Sequence, residues 1–121
     1  MSSSFRDLRV WRESIELTAE VYRETARFPK HEIYGLTQQI RRAAVSIASN
    51  IAEGKGHRSD KEFLHFLFHA RGSLLEVQTQ LVIADRLSYL SESGHNLQTM
   101  AEGVGRALSG LIASLERKVA V

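Results

Sequence analysis

The residues able to do chemistry in this chain concentrate in two places. The first is "QIRRAAVSIASNIAEGKGHR", residues 39–58, where Arg41, Arg42, Lys55 and Arg58 stand against the single acid Glu53. That is a local excess of +3 in a chain whose formal net charge is +2. Guanidinium and ammonium groups clustered in this way hold phosphate oxygens well, so the four are candidate nucleic-acid contacts. Gln39, Arg42, Ser46, Ser49 and Glu53 recur at helical spacing as one polar stripe, with Arg41 and Asn50 flanking it. An architectural reading competes: neighbouring helices or subunits hold Arg42 and Glu53, and Asn50 fixes register as a buried polar residue can. The arginine pair lacks the aromatic stacking surface of single-strand binders, which favours architecture for Arg41 and Arg42.

The second place is His65 and His69, four residues apart and so on one helical face, with Glu62 and Glu76 near the same stripe. Imidazoles at this spacing can ligate a metal. Two are too few for a closed site, however, and no HExxH pattern accompanies them. A polar outer or lumenal stripe is expected, and no metal. His31, His57 and His95 fall in predicted turns. Nothing points to catalysis: there is no cysteine, no nucleophile-elbow pattern, and "GKGHR" is too short for a phosphate-cradling loop. Trp11 and Tyr22 have the spacing of packing residues. No catalytic residue and no cofactor is expected.

Helices must position these groups, because the apolar periodicity is helical throughout. Four are predicted, near 6–28, 34–54, 60–88 and 92–118. In the first, Leu8, Trp11, Ile15 and Tyr22 make one face and Val10, Leu17, Val21 and Phe28 a second, with Pro29 closing it. In the next, Leu36, Ile40, Ala43, Ile47 and Ile51 form the stripe and Gly54 is the expected C-terminal cap. Ser59 and Glu62 match a capping box ahead of the third, where Phe63, Leu67, Ala70, Leu74, Val77, Leu81 and Ala84 keep heptad register. Ser91 is a candidate N-cap for the last helix, whose stripe is Leu97, Ala101, Val104, Leu108, Leu111, Leu115 and Val119. Four long helices with short turns and no strand signal predict an all-α, antiparallel up-down-up-down four-helix bundle, one domain over residues 1–121.

Composition agrees with that class. The chain has 121 residues, 43% hydrophobic and 25% charged, with no cysteine, so a soluble, cytoplasmic protein is expected. No run of about 18 apolar residues calls for a membrane. Two features point beyond a monomer. The first helix is apolar on two faces, where a bundle needs one. The fourth carries Gly103, Ala107, Gly110 and Ser114 beside its stripe. Glycine costs about 1 kcal/mol of helix stability against alanine, so close packing is the expected compensation. Self-association accounts for both, and a tight contact inside one bundle would explain the small strip equally well.

"EIYGLTQQIRRAAVSIASNIAEG", followed by "HRSDKEFLHFLFHARGSLLEVQTQLVIADRLSYL", resembles the bacterial four-helix-bundle family of 23S rRNA intervening-sequence proteins. "FRDLRVWRESIEL" and "FPKHE" fit the same family, so the resemblance covers roughly residues 5–118. Ala48 departs from it where a proline is frequent, which should leave the second helix straighter. Lys55 departs where an aromatic residue is frequent. The resemblance implies a barrel-like homopentamer, and it does not imply an enzyme. A related branch, the accessory variability proteins of diversity-generating retroelements, is a basic pentamer that works with a reverse transcriptase and nucleic acid.

A non-enzymatic homo-oligomer associated with RNA or DNA is therefore the first functional expectation. Arg41, Arg42, Lys55 and Arg58 would be its phosphate contacts, and Asn50, Glu53, Gly103, Ala107 and Gly110 its structural or subunit contacts. A scaffold that binds a protein partner, without nucleic acid, is the alternative.

Overall fold

In the computed structural model, which describes residues 4–120, four helices carry the chain: α1 (Arg9–Thr25), α2 (Leu36–Lys55), α3 (Asp60–Arg86) and α4 (Asn96–Val119). Short 3₁₀ turns at Phe5–Asp7, Lys30–Glu32 and Ser93–His95 precede three of them, and the described residues contain no strand. Each helix packs on its neighbours in sequence, and α1 closes the circuit against α4. The core at the centre includes Leu17, Val21, Ile40, Ile47, Ile51, Leu67, Val77, Leu81, Val104 and Leu108. This is the predicted all-α bundle.

The helix ends differ from expectation in instructive ways. Ser4 and Asp7 close a reciprocal cap around the first 3₁₀ turn, and extended Leu8 separates that turn from α1. The N-terminal helix therefore starts later than predicted. At its other end α1 stops at Thr25, ahead of Pro29, whose carbonyl accepts from Glu32 N–H at 2.9 Å and starts a new turn. Gly54 is not the cap of α2. The helix runs on to Lys55, and the Gly56 N–H closes it on the Ala52 and Glu53 carbonyls. Gly54 is glycine because α3 lies too close for a side chain: a Cβ there would sit 2.7 Å from Phe66 Cβ and 2.9 Å from Phe63 Cδ1. With alanine at position 48, α2 is continuous throughout.

Ser59 caps α3 as predicted, its Oγ accepting from Glu62 N–H at 3.1 Å. The Glu62 carboxylate turns instead to His57 Nδ1 at 2.6 Å, so only half of the capping box forms. Ser91 is not the cap of α4: its Oγ accepts from Gly94 N–H at 3.2 Å in the 3₁₀ turn ahead of that helix, and His95 stands at the N-cap position of α4. In α4 the core stripe moves from Leu108 to Ile112, leaving Leu111 half-buried and Val119 exposed. A straight helix at 3.6 residues per turn drifts off a strict heptad in this direction.

Two carboxylates tie the chain connections together at one end of the bundle. Buried Glu24 accepts from Ser91 N–H at 2.6 Å and Ser91 Oγ–H at 2.8 Å. Glu32 accepts from Leu36 N–H at 3.0 Å and from the Tyr89 hydroxyl at 2.8 Å. The backbone N–H and then the phenol hold the Glu32 carboxyl below its ordinary pKa, and the same carboxylate pushes Tyr89 up. A depressed folded-state pKa gives stability that is present above the unfolded value and lost as pH falls through the folded one. Glu32→Gln should therefore destabilise at neutral pH, with a deficit that shrinks through the acid range below the usual carboxylate value. Urea titrations at a series of pH values measure this, and an equal deficit at pH 7 and pH 3 would refute it.

Candidate functional site

The two adjacent arginines of α2 do different things. Arg41 reaches across to α1: its Nε donates to Thr25 Oγ1 at 2.8 Å and its Nη2 to the Tyr22 carbonyl at 3.3 Å. Its guanidinium also lies 4.6 Å from the Tyr22 ring centroid. A cation on the last-turn carbonyls of α1 is favourable against the helix dipole, so Arg41 is a strut between helices. Arg42 is exposed and forms no ion pair among the described residues.

Lys55 is half-buried, with its Nζ 6.0 Å from the Phe63 ring centroid. Arg58 is exposed in the α2–α3 turn, also without an ion pair. Arg42 and Lys55 stand roughly 20 Å apart along the helix at 1.5 Å per residue. One copy of the chain therefore does not bring the four cations into a single patch.

Asn50 Nδ2 donates to the Ser46 carbonyl at 2.8 Å and to Ser46 Oγ at 3.0 Å, within its own helix. The bond between α2 and α3 is made by Ser73 Oγ–H to Ser46 Oγ, at 2.9 Å. Glu53 is exposed and unpaired among the described residues, so no neighbouring helix of this bundle holds it. Gly103 and Ala107 line a cleft between α1 and α4 with Arg9, Glu13, Met100 and Arg106. Gly110 is exposed, and an added Cβ would meet nothing within 4 Å. Packing inside the bundle therefore does not require glycine at 110. Gly110→Ala should stabilise a lone bundle by about 0.5–1 kcal/mol through helix propensity. Denaturation of the variant tests this, and a loss of stability would place Gly110 in a contact between copies.

The polar stripe of α2 finds its counterpart on α3. Gln39, Arg42 and Ser46 face Ser73, Glu76 and Gln80 across an open cleft of about 430 Å³. Both sets run at i, i+3 and i+7, one helical face each. Gln80 is 9% exposed, and its buried Oε1 has no hydrogen-bond partner. Leaving a buried acceptor unpaired costs about 1–3 kcal/mol, and this is the one buried side-chain polar atom without a partner among the described residues. Sequence reasoning missed the α3 half of the cleft. Its signal was Ser73 and Gln80 flanking the heptad stripe at the spacing of Gln39, Arg42 and Ser46.

Two apolar surfaces are unpartnered. Between α1 and α2, Phe5, Trp11, Ile15 and Val45 wall a groove of about 300 Å³ whose other lining residues include Ala48, Ser49 and Ala52. On α3, Phe68, Leu75 and Val82 are 40%, 58% and 51% exposed and stand seven residues apart, an outward heptad ridge. The face of α1 that carries Trp11 and Ile15 thus borders the groove, since Val10, Leu17, Val21 and Phe28 are buried and Ile15 and Tyr22 remain exposed. His65 and His69 bring their Nε2 atoms to 3.3 Å on the exposed surface. No group of three or more metal-capable side chains occurs among the described residues.

A four-helix bundle with a hydrogen-bonded strut at Arg41, a polar interhelical cleft and two exposed apolar surfaces defines a class of helical protein. The particular family follows from the sequence: the chain belongs to the 23S rRNA-intervening sequence protein family, whose model matches residues 6–110. No curated protein matches the chain. Among solved structures, it is similar to a protein with unknown function from the S23 ribosomal protein family of Bacteroides thetaiotaomicron VPI-5482. The two share 20% identity with a TM-score of 0.75, over 85% of this chain and 97% of that one. That likeness concerns the fold.

Proposed function

We propose that this chain is a non-enzymatic, cytoplasmic protein that self-assembles head to tail and associates with nucleic acid as a ring. In this reading the four helices alternate in direction, as their short connections favour. The copies close into the homopentamer implied by the family resemblance.

The observation that supports the reading is that one chain exposes both an apolar ridge and an apolar groove. The α3 ridge of large side chains suits a groove lined partly by alanine and serine on α1 and α2. A surface that is not its own complement makes a heterologous contact, and such contacts close into rings when the rotation permits. What supports nucleic acid as the partner is the family's link to 23S rRNA insertions, together with Arg42 and Arg58, exposed and in no ion pair among the described residues. A ring repeats these modest charges and gains avidity from the repetition.

Light scattering and binding of labelled RNA and DNA over a salt series test the two parts separately. A monomer at micromolar concentration would end the assembly reading. Failure to bind either nucleic acid at low salt would end the second part and leave a protein scaffold.

A further inference from the structure

We infer that His65 and His69 form an open chelating site on α3 for a late first-row divalent cation such as zinc. Both side chains are exposed, one turn apart, and their Nε2 atoms lie 3.3 Å from each other. Two imidazole nitrogens on one tetrahedral zinc, each about 2.0–2.1 Å from the metal, stand about 3.3–3.4 Å apart. The ring centroids are 4.6 Å apart, so the edges that carry Nε2 are turned toward each other. The backbone fixes this spacing, because Leu64, Leu67 and Ala70, interleaved with the pair, are buried in the bundle. His65 is further held by a T-shaped contact with the Phe66 ring, 5.7 Å between centroids.

The other three histidines stand beside carboxylates. His57 Nδ1 meets Glu62 at 2.6 Å, His95 Nε2 meets Asp85 at 2.9 Å, and His31 lies 3.9 Å from Glu32. His65 and His69 form no ion pair among the described residues, and their side chains hydrogen-bond only to each other. In that bond one imidazole donates its Nε2–H and the other accepts. A cation takes the place of the shared proton, and the donor ring carries its hydrogen on Nδ1 instead. Imidazole suits zinc, copper and nickel, whereas magnesium and calcium seek oxygen. Two imidazoles do not close a zinc shell, so water fills the remaining positions and leaves them open to an outside ligand. The site needs neither a second copy nor nucleic acid.

The test titrates zinc chloride into the full chain at neutral pH, in a buffer that does not chelate, and follows the heat of binding. One ion should bind per chain, and magnesium should give no heat. His65→Ala or His69→Ala alone should weaken zinc roughly a hundredfold, because a chelate gains its affinity from both nitrogens together. His31→Ala and His95→Ala should leave it unchanged. Zinc should also raise the urea midpoint of the wild type and of neither weakened variant, since the pair is assembled only while α3 is helical. Both positions are exposed, so helical circular dichroism should show these variants folded. Small additive losses from the two single variants would mean independent histidines and overturn the inference. Zinc binding that survives removal of both, or no zinc binding by the wild type, overturns it as well.

Discussion

Leu75→Glu combined with Val82→Glu should convert the assembly to monomers while leaving the bundle folded. Both side chains are already more than half exposed, so replacing them removes little from the core, and glutamate is a good helix former. In a joint between copies the balance reverses. Burying a leucine or valine contributes about 1.5–3 kcal/mol, and placing a carboxylate against an apolar groove without a partner is far costlier. Ser49→Trp should do the same from the other side, by filling the groove from an exposed position on α2.

A heterologous joint makes a further demand. Each variant spoils one half of the contact and keeps the other, so an equal mixture of the two can form one intact joint and no more. Either variant alone should show the 13.6 kDa monomer by light scattering, and the mixture should show dimers. Ridge-to-ridge pairing would give a different pattern, because the groove variant would stay assembled alone. That result, or full assembly of the ridge variant, would end the head-to-tail reading.

How much of this was legible in the sequence depended on whether the signal was periodic. Stripes such as Ile40–Ala43–Ile47–Ile51 and Phe63–Leu67–Ala70–Leu74 define helices by repetition, and one misplaced residue does not alter them. Helix ends rest on single residues, and there the outcome turned on context. Gly54 reads equally well as a cap or as a close approach, and only the position of Phe63 and Phe66 decides between them. The two apolar faces of α1 were visible in the sequence, but not which of them met the core.

The candidate site was hardest to read because it is shared between helices. Arg41 and Arg42 are neighbours in sequence, yet about 100° of helical rotation sends one to α1 and the other to α3. Gln80 looks ordinary on α3 alone. It becomes unusual once packing buries its Oε1 without a donor among the described residues.

Arg42→Glu with Arg58→Glu should cause a large loss of nucleic-acid binding with little loss of stability. Both positions are exposed, neither forms an ion pair among the described residues, and neither guanidinium makes a hydrogen bond of the kind that fixes Arg41. Each phosphate contact removed should shrink the slope of log K against log salt by about 0.7 for single strands and 0.9 for duplex DNA. A strand that touches several subunits loses up to two such contacts at each, so the change in slope grows with the number of subunits engaged.

The groove variant Ser49→Trp is the companion measurement, because it alters assembly without altering charge. A monomer should keep the per-subunit contacts and lose the avidity, so its affinity should fall while the reversed-charge ring loses both. Arg41→Ala supplies the opposite control. It removes the strut onto Thr25 and Tyr22, so it should lower stability, and slope should hold for the fraction that stays folded. If the reversed-charge ring stays assembled and binds RNA and DNA with unchanged affinity and slope, these arginines are not the phosphate contacts.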